Sequence, residues 1–129
     1  MDERIKRLGD LASVQNRIRG LHEARYATLL AQAMAAGQEA EDISRRSYAE
    51  DSLADLFPDV YARRVADALR RRDEALLQAD AAGKEAMAAK LRAERLHEAH
   101  SEARSHQDRQ SGDRDRLEAL LARPPSDRS

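Results

Sequence analysis

Residues 61–103 read YARRVADALRRRDEALLQADAAGKEAMAAKLRAERLHEAHSEA. Indexed along this stretch, Tyr61, Val65, Ala68, Arg72, Ala75, Ala79, Ala82, Ala86, Ala89, Ala93, Leu96, His100 and Ala103 recur at steps that alternate four and three. Six heptads at that spacing predict a left-handed coiled coil. Eight of the thirteen positions are alanine, which lets two helix axes approach toward the short end of the usual range of about 8–10 Å. Alanine is also the best helix former and falls anywhere on a helix. Its concentration on one face is what separates a packing seam from mere composition. A flanking row, Leu69, Leu76, Leu77, Met87 and Leu91, is expected to supply bulk beside the alanines.

Outward from this stretch, proline sets the limits. Pro58 breaks the chain near its middle, and Pro124 with Pro125 stops it near the end, because a helix interior tolerates proline least. The expected fold is all-α: a long antiparallel two-helix coiled-coil hairpin spanning 1–129. It has helices over about 3–49 and 59–122, a turn over about 50–58 and a disordered tail at 123–129. At about 1.5 Å per residue the helices measure about 70 Å and about 95 Å. The second is expected to overhang the first, leaving Leu117, Leu120 and Leu121 as a short apolar stripe without an intramolecular partner. In the first helix the apolar stripe is read as Ile5, Leu8, Leu11, Val14, Ile18 and Leu21, weakening into Ala24, Ala27, Leu30, Ala31, Met34, Ala35 and Ile43. In the turn, Asp51 and Ser52 are candidate N-caps, and Leu56 with Phe57 are expected to plug the hairpin tip. Phe57 precedes a proline and is biased out of the α region, while Pro58 suits a first helical turn.

Composition excludes other architectures. Of 129 residues 41% are hydrophobic, about 25 of them alanine, and 36% are charged; the aromatics are only Tyr26, Tyr48, Phe57 and Tyr61. A β-sandwich or a deep substrate pocket needs bulk that is not here. With 23 basic and 24 acidic residues no global field draws the chain onto nucleic acid or an anionic membrane. Local charge is uneven: residues 38–59 hold seven acidic and two basic side chains, and Arg63, Arg64, Arg70, Arg71 and Arg72 follow. An acidic tip with a basic collar is expected, a pattern that fits partner docking or a solvated coiled-coil face. The absence of cysteine fits a reducing compartment. No apolar run of transmembrane length and no Sec-type signal is recognisable, so a cytoplasmic protein without direct membrane insertion is expected.

Chemistry-bearing patterns are few. Gly83-Lys84 resembles the end of a phosphate-binding loop, but Gln78 stands where that loop needs glycine and Glu85 where it needs a hydroxyl. Glu94 and His97 have the i, i+3 spacing of helical dimetal sites and His100 continues the face, but such sites need two such pairs and two further glutamates. Ser47, Ser52 and Ser101 have no convergent base. Arg70, Arg71 and Arg72 point in three directions and lack interleaved aromatics for base stacking. No enzyme, cofactor, metal or nucleic-acid partner is expected.

The opening RIKRLGDLASVQNRIRGLHEARYA and the closing RDRLEALLAR, joined by one helical hairpin, resemble the FliJ proteins of flagellar type III export and the related injectisome stalk proteins. The resemblance covers nearly the whole chain. It implies a non-enzymatic stalk and general export chaperone at the membrane-associated export apparatus, its paired termini set in the hexameric export ATPase. The hairpin tip is implied to reach toward the membrane export gate protein, and export chaperones are implied as further partners. Carried onto this chain, Arg4, Lys6, Arg7, Leu8 and Leu11, with Leu117, Leu120 and Leu121, belong to the ATPase end; Leu56, Phe57, Arg63 and Arg64 belong to the gate end. The alanine-rich seam, the short length and the absence of tryptophan depart from many members. A generic coiled-coil scaffold or adaptor, self-associating through the alanine seam, is the alternative expectation.

Overall fold

The computed structural model describes residues 2–49 and 53–123. The fold is all-α: α1 spans Asp2–Ser47 and α2 spans Pro58–Leu121, two long helices packed against each other. Packing falls into two compact units, residues 1–17 with 90–129 and residues 18–89. The candidate caps Asp51 and Ser52 and tail residues 124–129 lie outside the described residues.

Local chemistry explains the helix ends. At the end of α1 the Tyr48 amide donates to the Arg45 carbonyl and the Ala49 amide to the Arg46 carbonyl. These tightened turns satisfy carbonyls the helix leaves open. The Ser47 hydroxyl caps the Ser44 carbonyl at 2.6 Å, and Arg45 with Arg46 place positive charge at the negative end of the helix dipole. α2 begins on Pro58, which has no amide to leave unsatisfied. Phe57 stays outside the helix, its carbonyl accepting from the amides of Val60 and Tyr61, and Asp59 adds an acidic first turn.

In residues 18–89 the two helices run antiparallel. The Arg71 guanidinium reaches Glu39 at 2.8 Å and His22 faces Glu85 at 3.6 Å, so contacts climb one helix as they descend the other. Leu29, Ala33, Ala36, Ala40 and Ile43 of α1 are buried against Ala68, Ala75, Ala79, Ala82, Ala86 and Ala89 of α2, and Ala68 and Ala89 are 0% exposed. The Arg71–Glu39 pair lies half in solvent and contributes at most about 1 kcal/mol; burial of the seam holds this unit together. In the unit of residues 1–17 and 90–129, Ile5, Leu8, Ala12 and Gln15 are half-buried, as are Leu96, His100, Ala103 and Gln107, and Ala93 is buried. Beyond Gln107, every described α2 side chain is exposed; Gly112, which has none, is intermediate.

Every one of the thirteen indexed α2 positions is buried or half-buried. The flanking bulk is not: only Leu69 is half-buried, while Leu76, Leu77, Met87 and Leu91 are exposed. With alanine at the seam the helices lie close, and side chains one step off the seam project past the partner.

The α1 stripe departs further from expectation. Leu11 and Val14 are about half-exposed, and Leu21 is 72% exposed. Met34 is exposed too, as are Ala24, Ala27, Ala31 and Ala35. Repeated steps of three fall behind the helical turn: the nine residues from Ile5 to Val14 make about two and a half turns, ending on the opposite face. The positions that turn inward alternate three and four instead through Ile5, Leu8, Ala12 and Gln15, pass Ile18 and His22, and alternate four and three again through Leu29, Ala33, Ala36, Ala40 and Ile43.

Two seam residues, Arg72 and His100, and the exposed Tyr26 are large side chains in an alanine coil, and each lies against a glycine of the other helix. A Cβ on Gly9 would lie 3.0 Å from His100 Nε2, one on Gly83 3.1 Å from Tyr26 Cε2, and one on Gly37 3.4 Å from Arg72 Cδ. None of these glycines has positive φ, so they supply space rather than a turn. Arg72 lays its stem on Gly37 and carries its guanidinium out to Asp73 at 3.0 Å, keeping the charge in water. Gly20 is different, with nothing within 4 Å of a Cβ. Gly20→Ala is therefore expected to stabilise by about 1 kcal/mol through helix propensity, whereas in Gly83→Ala the contact with the Tyr26 ring cancels that gain. Thermal unfolding followed by circular dichroism should show the first melting above the parent and the second at or below it. Equal gains at both sites would mean that the ring does not occupy the Gly83 notch.

Candidate partner-binding surfaces

Among the described residues no polar or charged residue is buried as a whole, although the Gln15 and Gln107 side-chain oxygens are, and no group of three or more His, Asp or Glu could hold a metal ion. His97 is exposed and His100 packs on Gly9, so the Glu94–His97–His100 face does not converge. Between the helices of residues 18–89 run open grooves lined by alanine and the stems of long charged residues, one by Ala36, Glu39, Arg71 and Ala75, another by Gly37, Ala40, Val65 and Arg72. The second groove is lined by Glu41 and Ser44 as well.

In the unit of residues 1–17 and 90–129, Arg4, Lys6 and Arg7 are exposed and form no ion pair with another described residue. Leu11 shares that exposure, but Leu8 does not: it is half-buried at an inward-turning position and offers a partner little area. On α2 of the same unit Leu117, Leu120 and Leu121 are all more than half exposed. Leu117 and Leu121 continue the heptad phase of the seam, three and seven steps beyond Arg114, which itself lies seven beyond Gln107. The nearby Arg116 is held by Asp113 at 3.0 Å. These leucines form an exposed apolar stretch near the end of α2.

In the unit of residues 18–89, Leu56 is 73% and Phe57 54% exposed. They do not plug the hairpin tip. The Leu56 and Phe57 amides both donate to the Leu53 carbonyl, making a single helical turn that leads into α2 and has no third element to pack beneath. Tyr48, Leu53 and Val60 are also exposed, and the sequence reading passed over Tyr48 and Val60. Their signal was available: three of the four aromatics fall within residues 48–61, and no basic residue lies between Ser47 and Ala62.

The basic collar is smaller than its sequence suggests. Arg70 is held by Asp67 at 3.7 Å, Arg71 by Glu39 and Arg72 by Asp73. Arg63 and Arg64 are exposed and form no ion pair with another described residue; they are the collar residues with charge left for a partner. None of the helices is long and apolar enough to cross a membrane, among the described residues. No protein-family model matches the chain, and no curated protein and no solved structure matches it.

Proposed function

We propose that this chain is a non-enzymatic coiled-coil component of a type III protein export apparatus, a stalk that engages the hexameric export ATPase and serves export as a general chaperone. One observation carries the proposal furthest. The same unit gathers both ends of the hairpin and leaves Leu11, Leu117, Leu120 and Leu121 exposed, with Arg4, Lys6 and Arg7 exposed on its α1 segment. A stalk must engage a ring and let go of it, which a few exposed leucines and exposed cations serve better than a large dry interface. The opening and closing stretches that resemble the FliJ proteins are the stretches that carry these residues. By the same likeness Leu56, Phe57, Arg63 and Arg64 would face the membrane export gate protein.

The alternative of a scaffold that self-associates through the alanine seam has less support. That seam is filled by the chain's own α1, with Ala68 and Ala89 at 0% exposure, so it has no surface left for a second copy. Sedimentation separates the two. The stalk proposal expects a monomer at micromolar concentration; a stable dimer or tetramer would favour the scaffold and overturn the stalk.

A further inference from the structure

The tip of the hairpin joins two properties that seldom coincide on a surface with no partner. From Ser47 to Ala62 the sequence is SYAEDSLADLFPDVYA, with four acidic residues and no basic one. In the same stretch Tyr48 is 89% exposed, and Leu53, Leu56, Phe57 and Val60 are each about half-exposed or more. The backbone aligns them. The Leu56 and Phe57 amides bond to the Leu53 carbonyl and the Val60 and Tyr61 amides to the Phe57 carbonyl, so two successive turns meeting at Phe57 hold Leu53, Leu56, Phe57 and Val60 in one short exposed apolar ridge along the chain. Asp55 and Asp59 are exposed and flank it. Solvated acids alone would keep this turn soluble, and a turn needs no aromatic or leucine in water.

From this arrangement we infer that the tip docks a basic amphipathic helix of another protein, about two turns long, whose leucine-type side chains cover the Leu53–Phe57–Val60 ridge while its lysines or arginines meet Asp55 and Asp59. Charge complementarity selects this occupant. A second copy would bring the same acids face to face, and an anionic bilayer would repel them. The ridge is too short to seat a whole domain face, and a groove-and-helix mode needs only anchors at i, i+3 or i+4 and i+7. The inference rests on the tip's own residues and does not depend on the export proposal.

The probe is a fluorescent synthetic helix of leucine and lysine in amphipathic register, with a control in which every lysine is glutamate. Anisotropy titrations with the full chain should give saturable one-to-one binding of the basic peptide that weakens as salt is raised, and no saturation with the acidic one. Leu56→Ser with Phe57→Ser should weaken binding at least fivefold, Asp55→Lys with Asp59→Lys likewise, and Leu77→Ser, exposed elsewhere in the same unit, less than twofold. Circular dichroism establishes that each variant keeps its helix content, and amide chemical-shift mapping on the parent provides a second reading that needs no variant. Equal binding of both peptides, unchanged affinity in the tip variants, shifts spread along both helices, or dimerisation through the tip would each overturn the inference.

Discussion

Replacing Leu29 with alanine is expected to cost about 2–3 kcal/mol and replacing Ala82 with leucine about 1–3 kcal/mol, while the two together should cost clearly less than their sum. Leu29, Ala79 and Ala82 form one buried cluster, with Leu30 packed against it. Leu29 is among the few large side chains in a seam otherwise built of alanine, so its loss opens a hole that close-packed helices cannot readily collapse. An added isobutyl group at Ala82 has the reverse effect and drives the helices apart. Because the two changes remove and restore similar volume across one layer, their coupling should exceed about 1 kcal/mol. Urea denaturation of the parent, both single variants and the double variant measures it. Strict additivity would mean that Leu29 and Ala82 do not share a layer. Leu77→Ala, on an exposed side chain of the same unit, should change stability by no more than about 0.5 kcal/mol.

The second large effect concerns the exposed leucines of α2. Under the stalk proposal, Leu117→Asp with Leu121→Asp is expected to weaken binding to an export ATPase at least tenfold, a loss of about 1.4 kcal/mol or more, and to remove any stimulation of hydrolysis at concentrations where the parent saturates. Both side chains already lie in water, so the melting temperature should stay with the parent. That split between binding and stability is the informative part. A variant that unfolds would show these leucines to be structural, and a folded variant that still stimulates would move the contact elsewhere.

The two helices were unequally legible in their sequences. In α2 the seam residues are small, the spacing is strict and every indexed position turns inward, because alanine at alternating steps of three and four has one geometric meaning. In α1 bulk misleads. Leu11, Val14 and Leu21 attract attention as bulky apolar side chains, yet beside Ile5, Leu8 and Ile18 the seam passes through Ala12, Gln15 and His22, residues that a search for apolar stripes skips. A partner helix lined with alanine has little need of leucine opposite it, and only the pairing of the two helices decides which small or polar residues face inward. The glycine notches were hidden for the same reason. Gly9, Gly37 and Gly83 read as helix weaknesses until His100, Arg72 and Tyr26 are placed against them. The candidate surfaces were legible as residues but not as surfaces. Leu56 and Phe57 read as plugs because apolar side chains in a turn are expected to be covered, and a hairpin of two helices has no third layer to cover them.

The most direct measurement of the central proposal is the hydrolysis rate of a purified type III export ATPase from the same organism, titrated with the purified chain. The stalk account predicts a rate that rises severalfold and saturates near one chain per hexamer. A rate unchanged at every ratio, with no complex detected by co-sedimentation, would contradict it.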